Sequence, residues 1–187
     1  MSPLVIILNG ASSAGKTSTA DALACLIKPS LSYISLDDVL IKTNTGNKIA
    51  VWLQHLTGTR KNTVFRLLNE EIRQAAMSEG TTIVDVCYML PGSMIELARM
   101  INTNNVYLIG IKPPLSVSEQ WERQRGDRRI GQARKHYYSA HQHNIYDLVI
   151  DTSGTTPLNA ANEILSYIQS NSPTAFIKLR DQLSVDS

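Results

Sequence analysis

The chain has 187 residues, 43% of them hydrophobic, and its 18 Lys and Arg against 16 Asp and Glu give a formal charge of +2. That length and apolar content suit one globular domain with a single buried core, and the near-balance of charge excludes the overall basic footprint of a nucleic-acid binder. The only cysteines, Cys25 and Cys87, lie outside any CxxC or Cys/His ligand pattern, so both are expected as small core hydrophobes in a reducing compartment.

Short apolar runs alternate with longer segments of helical period, the pattern of βαβ units that close a parallel sheet with helices on both faces. Residues 4–8 (LVIIL) read as a central strand buried on both sides. With no basic residue ahead of it and far fewer than the roughly 20 residues a bilayer span needs, this run predicts a soluble, cytoplasmic protein without a membrane partner. Gly10-Ala11-Ser12-Ser13-Ala14-Gly15-Lys16-Thr17 then matches G-x-x-x-x-G-K-[ST], directly after the strand and before the helical stretch TSTADALACLI. Glycines let the backbone turn its N–H groups onto a phosphate, and the helix amino terminus adds a favourable dipole. Gly10, Ser12, Ser13, Ala14, Gly15, Lys16, Thr17 and Ser18 are therefore expected to hold ATP, with Lys16 at the β- and γ-phosphate oxygens and the Thr17 hydroxyl on Mg²⁺. A glycine turn that merely packs a helix on a sheet would need neither the lysine nor the threonine at those offsets.

A second strand is expected over residues 31–36, and Asp37 and Asp38 follow it, at the end of the sheet where α/β folds bind ligands. One of them would accept the proton of a substrate hydroxyl while the other caps the helix VLIKT. Residues 43–58 carry turn residues at both ends and little period, an excursion where an acceptor would sit. A helix over 63–78 is expected to bury Val64, Leu67, Leu68, Ile72 and Ala75, with Gly80 as its terminator. The strand over 82–86 carries Asp85, placed to hold Mg²⁺ through water or simply a satisfied strand-end carboxylate. After Pro91-Gly92, Met94, Leu97, Ala98 and Ile101 recur at helical spacing, and residues 106–111 form the fourth strand.

Arg123, Arg125, Arg128, Arg129, Arg134 and Lys135 cluster around Gly126 and Gly131. This is the composition of a hinged lid near 123–135, in which guanidinium forks bind phosphate oxygens, Arg128 stabilises the transferring group, and Arg125 and Arg129 contact the nucleotide. A solvated basic helix face is the plainer alternative. His141 and His143 do not share a helical face and lack a third ligand, so no metal is assigned to them. After a fifth strand over 148–150, the turn Asp151-Thr152-Ser153-Gly154 either sets Thr152 under the adenine or caps the helix over 158–168. Residues 1–170 are thus expected as the catalytic domain and 171–187 as a tail, in which Phe176, Ile177, Leu179 and Leu183 form a short docking helix.

Together, ILNGASSAGKT and ERQRGDRRIGQARKHYYSAHQHNIYDLVIDTS resemble the chloramphenicol phosphotransferase family of P-loop kinases. Its diagnostic second segment is matched here by Arg125, Gly126, Asp127, Arg128, Gly131, Ala133, His141, Tyr146, Asp147, Asp151, Thr152 and Ser153. The resemblance runs from about Val5 to Ser153 and is weak over residues 42–60. It implies a nucleoside-monophosphate-kinase-like α/β fold with five parallel strands and ATP-dependent phosphorylation of a hydroxyl, on chloramphenicol or a similar antibiotic. The base would be the acidic residue after strand two, and Asp37 is the matching position. Val86 stands where the family commonly has a second acidic residue, and His136 where it often has Gln. A housekeeping kinase for a metabolite, nucleoside or sugar acid shares all these motifs. A catalytically silent nucleotide-binding regulator and an RNA-end kinase are the rivals from other classes. The expected partner is a small-molecule hydroxyl acceptor, not nucleic acid, and homo-oligomer formation is left open.

Overall fold

The computed structural model describes residues 2–27, 31–43, 58–101, 104–126 and 129–181. Five parallel strands, β1 (Leu4–Asn9), β2 (Leu31–Ser35), β3 (Thr81–Val86), β4 (Val106–Ile111) and β5 (Leu148–Ile150), lie in the order β2-β3-β1-β4-β5. They match the predicted runs to within a residue: β1 runs on to Asn9, β3 begins at Thr81, and β2 stops at Ser35, where Leu36 already begins a helix.

β1 is central, so side chains on both its faces must be buried, which explains the unbroken apolar run. Val5 and Ile7 join one core with helices α2 (Leu36–Thr43), α3 (Gly58–Ala75), α4 (Pro91–Met100) and α8 (Ala175–Asp181). Ile6 and Leu8 join the other with α1 (Lys16–Leu26) and α7 (Pro157–Ser170). The remaining helices, α5 (Leu115–Arg125) and α6 (Gln132–Ala140), pack on each other between β4 and β5. Successive strands lie to one side of β1 and then to the other, so the strand order reverses beside its carboxyl end. A crevice opens at such a reversal.

α3 buries Val64, Phe65, Leu68, Asn69 and Ile72, while Leu67 is 44% exposed. At 100° per residue Leu67 falls roughly a third of a turn from the stripe centred on Phe65, Leu68 and Ile72, so its predicted burial fails. Met94, Leu97, Ala98 and Ile101 are all buried as expected. Cys87 is buried but Cys25 is exposed, because α1 turns toward the sheet with Thr19, Ala20 and Leu23. In α8, Ala175, Phe176 and Leu179 enter the first core, whereas Ile177 is exposed; Leu183 lies outside the described residues. Asp147 Oδ1 accepts the N–H groups of Thr174 (2.6 Å) and Ala175 (2.9 Å), and Arg180 Nη1 donates to the Ile101 carbonyl at 2.7 Å, so α8 is held at both ends. Among the described residues no helix is long and apolar enough to cross a membrane.

Candidate active site

The chain leaves β1 at Asn9 and turns through residues 10–15 into α1. Ser13 (φ 57°) and Gly15 (φ 88°) both take the left-handed conformation, which turns successive N–H groups into a concave anion nest. No side chain caps α1, and no acidic residue occupies its first turn, so its positive end faces the loop unneutralised. The Ser13 hydroxyl is buried without a hydrogen-bond partner among the described residues. Such a group costs about 1–3 kcal/mol unless something meets it, and a phosphate oxygen in the nest would. The loop therefore fits a polyphosphate.

Thr152, which the sequence places either under the adenine or in a helix cap, is buried behind the loop, its hydroxyl donating to the Ala14 carbonyl at 2.8 Å. A Cβ added at Gly15 would come within 3.4 Å of the Thr152 hydroxyl. Thr152 braces the loop from the far side. The turn that contains it does not cap α7: Asp151 accepts the Ser153 N–H, and Thr156 caps α7 through Asn159.

Beyond the loop, the Thr17 hydroxyl donates to Asp85 Oδ2 at 2.7 Å, and Lys16 Nζ stands 3.8 Å from Asp85 Oδ1 while donating to the Ala11 carbonyl at 2.8 Å. Sheet register explains the meeting: Leu8 and Ser35 flank Asp85 on its two neighbouring strands, so the carboxylate emerges one position below the loop's origin. Its donor set with Thr17 is all oxygen, as a hard cation such as Mg²⁺ requires. Tyr33, from β2, reaches Asp85 Oδ2 at 3.4 Å. Burial first, and then the Asp85 charge, raise its phenol well above the ordinary range.

Asp37 and Asp38 do not precede the helix but occupy its first turn. Ser35 is the capping residue: its hydroxyl accepts the Asp38 N–H at 3.0 Å and donates to the Asp38 carboxylate at 2.7 Å. Asp38 is thus tied to Ser35. Asp37 is half-buried and faces the same end of the sheet as Asp85. The buried Cys87 thiol senses the group: burial pushes it up to about 11, Lys16 opposes that, and Asp85 and Asp37 add to it. Lys16 and Asp85 meet at the exit of β3, and Asp37 lies in the first turn of the helix that follows the neighbouring strand β2.

The arginine segment lies between α5 and α6, bounded by Gly126 (φ 68°) and Gly131 (φ 94°). Arg125 and Arg129 are exposed, and Arg134 is paired with Glu119 at 2.7 Å; Arg128 and Asp127 lie outside the described residues. The start of α6 is fixed by Glu122, almost wholly buried, whose carboxylate accepts the N–H groups of Gly131 and Ala133 at 2.7 Å each. Sequence reasoning missed Glu122, as it missed Ser35, Tyr33 and the buried Asn9. Of these only Asn9 left a mark, as a polar residue closing an otherwise apolar central strand. Ser18 is exposed in the first turn of α1, and Ser12, Ala14 and Gly10 are buried in the loop, where the Gly10 N–H donates to Val86 at 3.3 Å.

A phosphate nest, a lysine and threonine against a strand-end carboxylate, and a framed basic segment over a parallel sheet define a P-loop kinase. The model of the family described as chloramphenicol phosphotransferase-like protein matches residues 3–169, and the chain belongs to that family. It is a phosphotransferase with an alcohol group as acceptor. No curated protein sequence matches the chain. Among solved structures, a shikimate kinase from Acinetobacter baumannii in complex with shikimate is similar at TM-score 0.67 and 15% identity, covering 90% of this chain and 94% of its own. A gluconokinase from Sinorhizobium meliloti gives TM-score 0.67 and 15% identity over 100% and 98% of the two chains. The APS kinase from Mycobacterium tuberculosis, in complex with AMPPNP and APS, gives 0.65 and 15% over 90% and 98%.

Proposed function

We propose that the chain is a cytoplasmic ATP-dependent kinase for a small-molecule hydroxyl, on chloramphenicol or a related antibiotic. Its carrying observation is the meeting of Lys16 and Thr17 with Asp85 at the end of β3, supported by Asp37 at the start of the helix after the adjacent β2. ATP with Mg²⁺ would supply an electrophilic phosphoryl group whose negative charge the metal partly neutralises. Gly10 to Gly15 and the first turn of α1, including Ser18, hold the phosphates with backbone N–H groups. Lys16 swings from the Ala11 carbonyl to phosphate oxygens, and the Thr17 hydroxyl and Asp85 carboxylate serve the metal, Tyr33 steadying the latter. Asp37 takes the proton of the acceptor hydroxyl. Arg125, Arg128 and Arg129 close from the lid, their forks matching phosphate oxygens and excluding water.

The test is acceptor-dependent ADP release by the purified protein over chloramphenicol, other hydroxyl-bearing antibiotics, shikimate, gluconate and nucleosides. Turnover of a metabolite and not of an antibiotic would make this a housekeeping kinase. With the acceptor found, Asp37→Asn should lower turnover by about 100-fold or more, the scale of a lost general base, with AMPPNP affinity kept. Asp38→Asn should cost little, since Asn still accepts the Ser35 hydroxyl. A large loss at Asp38 alone transfers the role, and AMPPNP binding without turnover of any acceptor favours a silent regulator.

A further inference from the structure

At the end of β1, directly before the phosphate loop, the fold buries a polar side chain and uses all of its amide. Asn9 is fully buried. Its Oδ1 accepts the Tyr88 N–H at 2.9 Å, while its Nδ2 donates to the Ala140 carbonyl at 2.7 Å and to the Tyr146 hydroxyl at 2.9 Å. The first contact lies at the exit of β3, just past Asp85. The other two lie where the lid helix α6 ends and the chain returns toward β5. The amide cannot be reversed, since its oxygen must meet an N–H and its nitrogen a carbonyl.

Each arm continues inward. On the acceptor side the Tyr88 hydroxyl donates to Asn69 Oδ1 of α3 at 2.7 Å, and Asn69 Nδ2 donates to the Ser93 carbonyl in the first turn of α4 at 2.8 Å. Tyr88 also stacks on Phe65 of α3, with ring centroids 5.5 Å apart. On the lid side the Tyr146 hydroxyl lies 2.7 Å from His141 Nδ1 and 3.2 Å from the Ala140 carbonyl. That carbonyl accepts from Asn9 as well, and the direction of the Tyr146–His141 bond follows the imidazole tautomer, while His141 Nε2 is buried without a hydrogen-bond partner among the described residues. Tyr146 is wedged against β4: a Cβ at Gly110 would come within 2.9 Å of its ring. Asn9, Tyr88, Asn69, Ser93 and His141 are all buried, and a buried amide whose oxygen and nitrogen both meet fixed partners holds them in one arrangement.

We propose that Asn9 is a positioning residue that couples the lid to the acceptor side, so that seating the end of α6 and ordering the segment after Asp85 occur together. The inference rests on the kinase reading above. α2 and α3 flank residues 44–57, and Lys42 of α2 is paired with Glu71 of α3 at 2.9 Å, so a molecule that shifts these helices acts on Tyr88 through Asn69. In the opposite direction, a lid drawn onto nucleotide moves Ala140 and Tyr146, and Asn9 carries the movement to the Tyr88 N–H.

Amide hydrogen exchange of the full chain, with and without AMPPNP and Mg²⁺, tests this. Nucleotide should slow exchange in the loop peptide 10–17 and also in the peptide 87–93. Tyr146→Phe deletes one hydroxyl and leaves no cavity. It should keep the slowing at 10–17 but reduce the nucleotide-dependent slowing at 87–93 by about fivefold or more, the equilibrium worth of one hydrogen bond. Tyr88→Phe should do the same over residues 63–75 while sparing 132–146. A merely structural role would lower protection equally with and without nucleotide. Nucleotide-dependent slowing at 87–93 that stays within about twofold of wild type in Tyr146→Phe, again on the scale of less than one hydrogen bond, overturns the coupling alone. A wild-type chain that binds no AMPPNP overturns it together with the kinase reading.

Discussion

His141 should make this protein acid-labile through a single side chain. The imidazole is 6% exposed, bonded to Tyr146 through Nδ1 and edge-on to Tyr137. Burial, and then the charges of Lys112 and Lys16, lower its pKa from 6.5 to about 4. Protons therefore bind the unfolded chain more tightly than the native one. Stability is fully present above pH 6.5, falls as pH drops below it, and stops falling below about 4. At about 1.4 kcal/mol per tenfold in proton affinity, the full loss is on the order of 3 kcal/mol, and about 2 kcal/mol of it has occurred by pH 5. Many carboxylates titrate over the same range, so the measurement must be differential. His141→Asn places an acceptor near the position of Nδ1 and cannot be charged. Urea unfolding at pH 7.5 and pH 5 should show wild type losing about 2 kcal/mol more than the variant. Equal losses, within about 0.5 kcal/mol, would mean that the buried imidazole is not held neutral by its surroundings.

Lys16→Ala should leave the unfolding temperature nearly unchanged, because the residue begins a helix and packs no core. It should cut acceptor-dependent turnover by about 100-fold or more, the scale of removing one preorganised charge from a transition state; activity within twofold of wild type would remove the phosphate role. Asp147→Ala should act on stability alone, since it strands the N–H groups of Leu108, Thr174 and Ala175. A loss of about 3 kcal/mol, roughly 8 °C in unfolding temperature for a chain of this size, is expected, and a calorimetric shift under about 2 °C would show that α8 is held without it.

The strands were legible because β1 and its neighbours are buried on both faces, and the loop because its lysine and threonine sit at fixed offsets from the glycines. Asp85 followed from its place beside the loop. What sequence could not supply was the partner of each polar side chain. Leu67 and Phe65 are equally apolar, and only the angle at which α3 meets the sheet buries one and exposes the other. Asp37 and Asp38 are indistinguishable as letters until Ser35 takes the cap and binds Asp38. Thr152 lies at the expected end of the sheet, yet its hydroxyl turns to the Ala14 carbonyl, a backbone partner that no sequence pattern names. Arg128 and residues 44–57 lie outside the described residues.

The distribution of hydrogen bonds also separates support from chemistry. In the second diagnostic segment, Gly131 and Ala133 meet Glu122, His141 and Tyr146 meet each other and Asn9, Asp147 meets Leu108 and the start of α8, and Thr152 meets the loop. Each of these contacts ties one backbone element to another. None involves Asp37 or Asp85. None of the segment's contacts reaches the acidic residues at the ends of β2 and β3, so choice of acceptor is expected to come from the side built by β2, α2 and α3. One framework can then serve acceptors as unlike an antibiotic and a metabolite. Exchanging residues 36–60 between two members of the family should move acceptor preference with the exchanged piece, while the lid and loop keep their nucleotide.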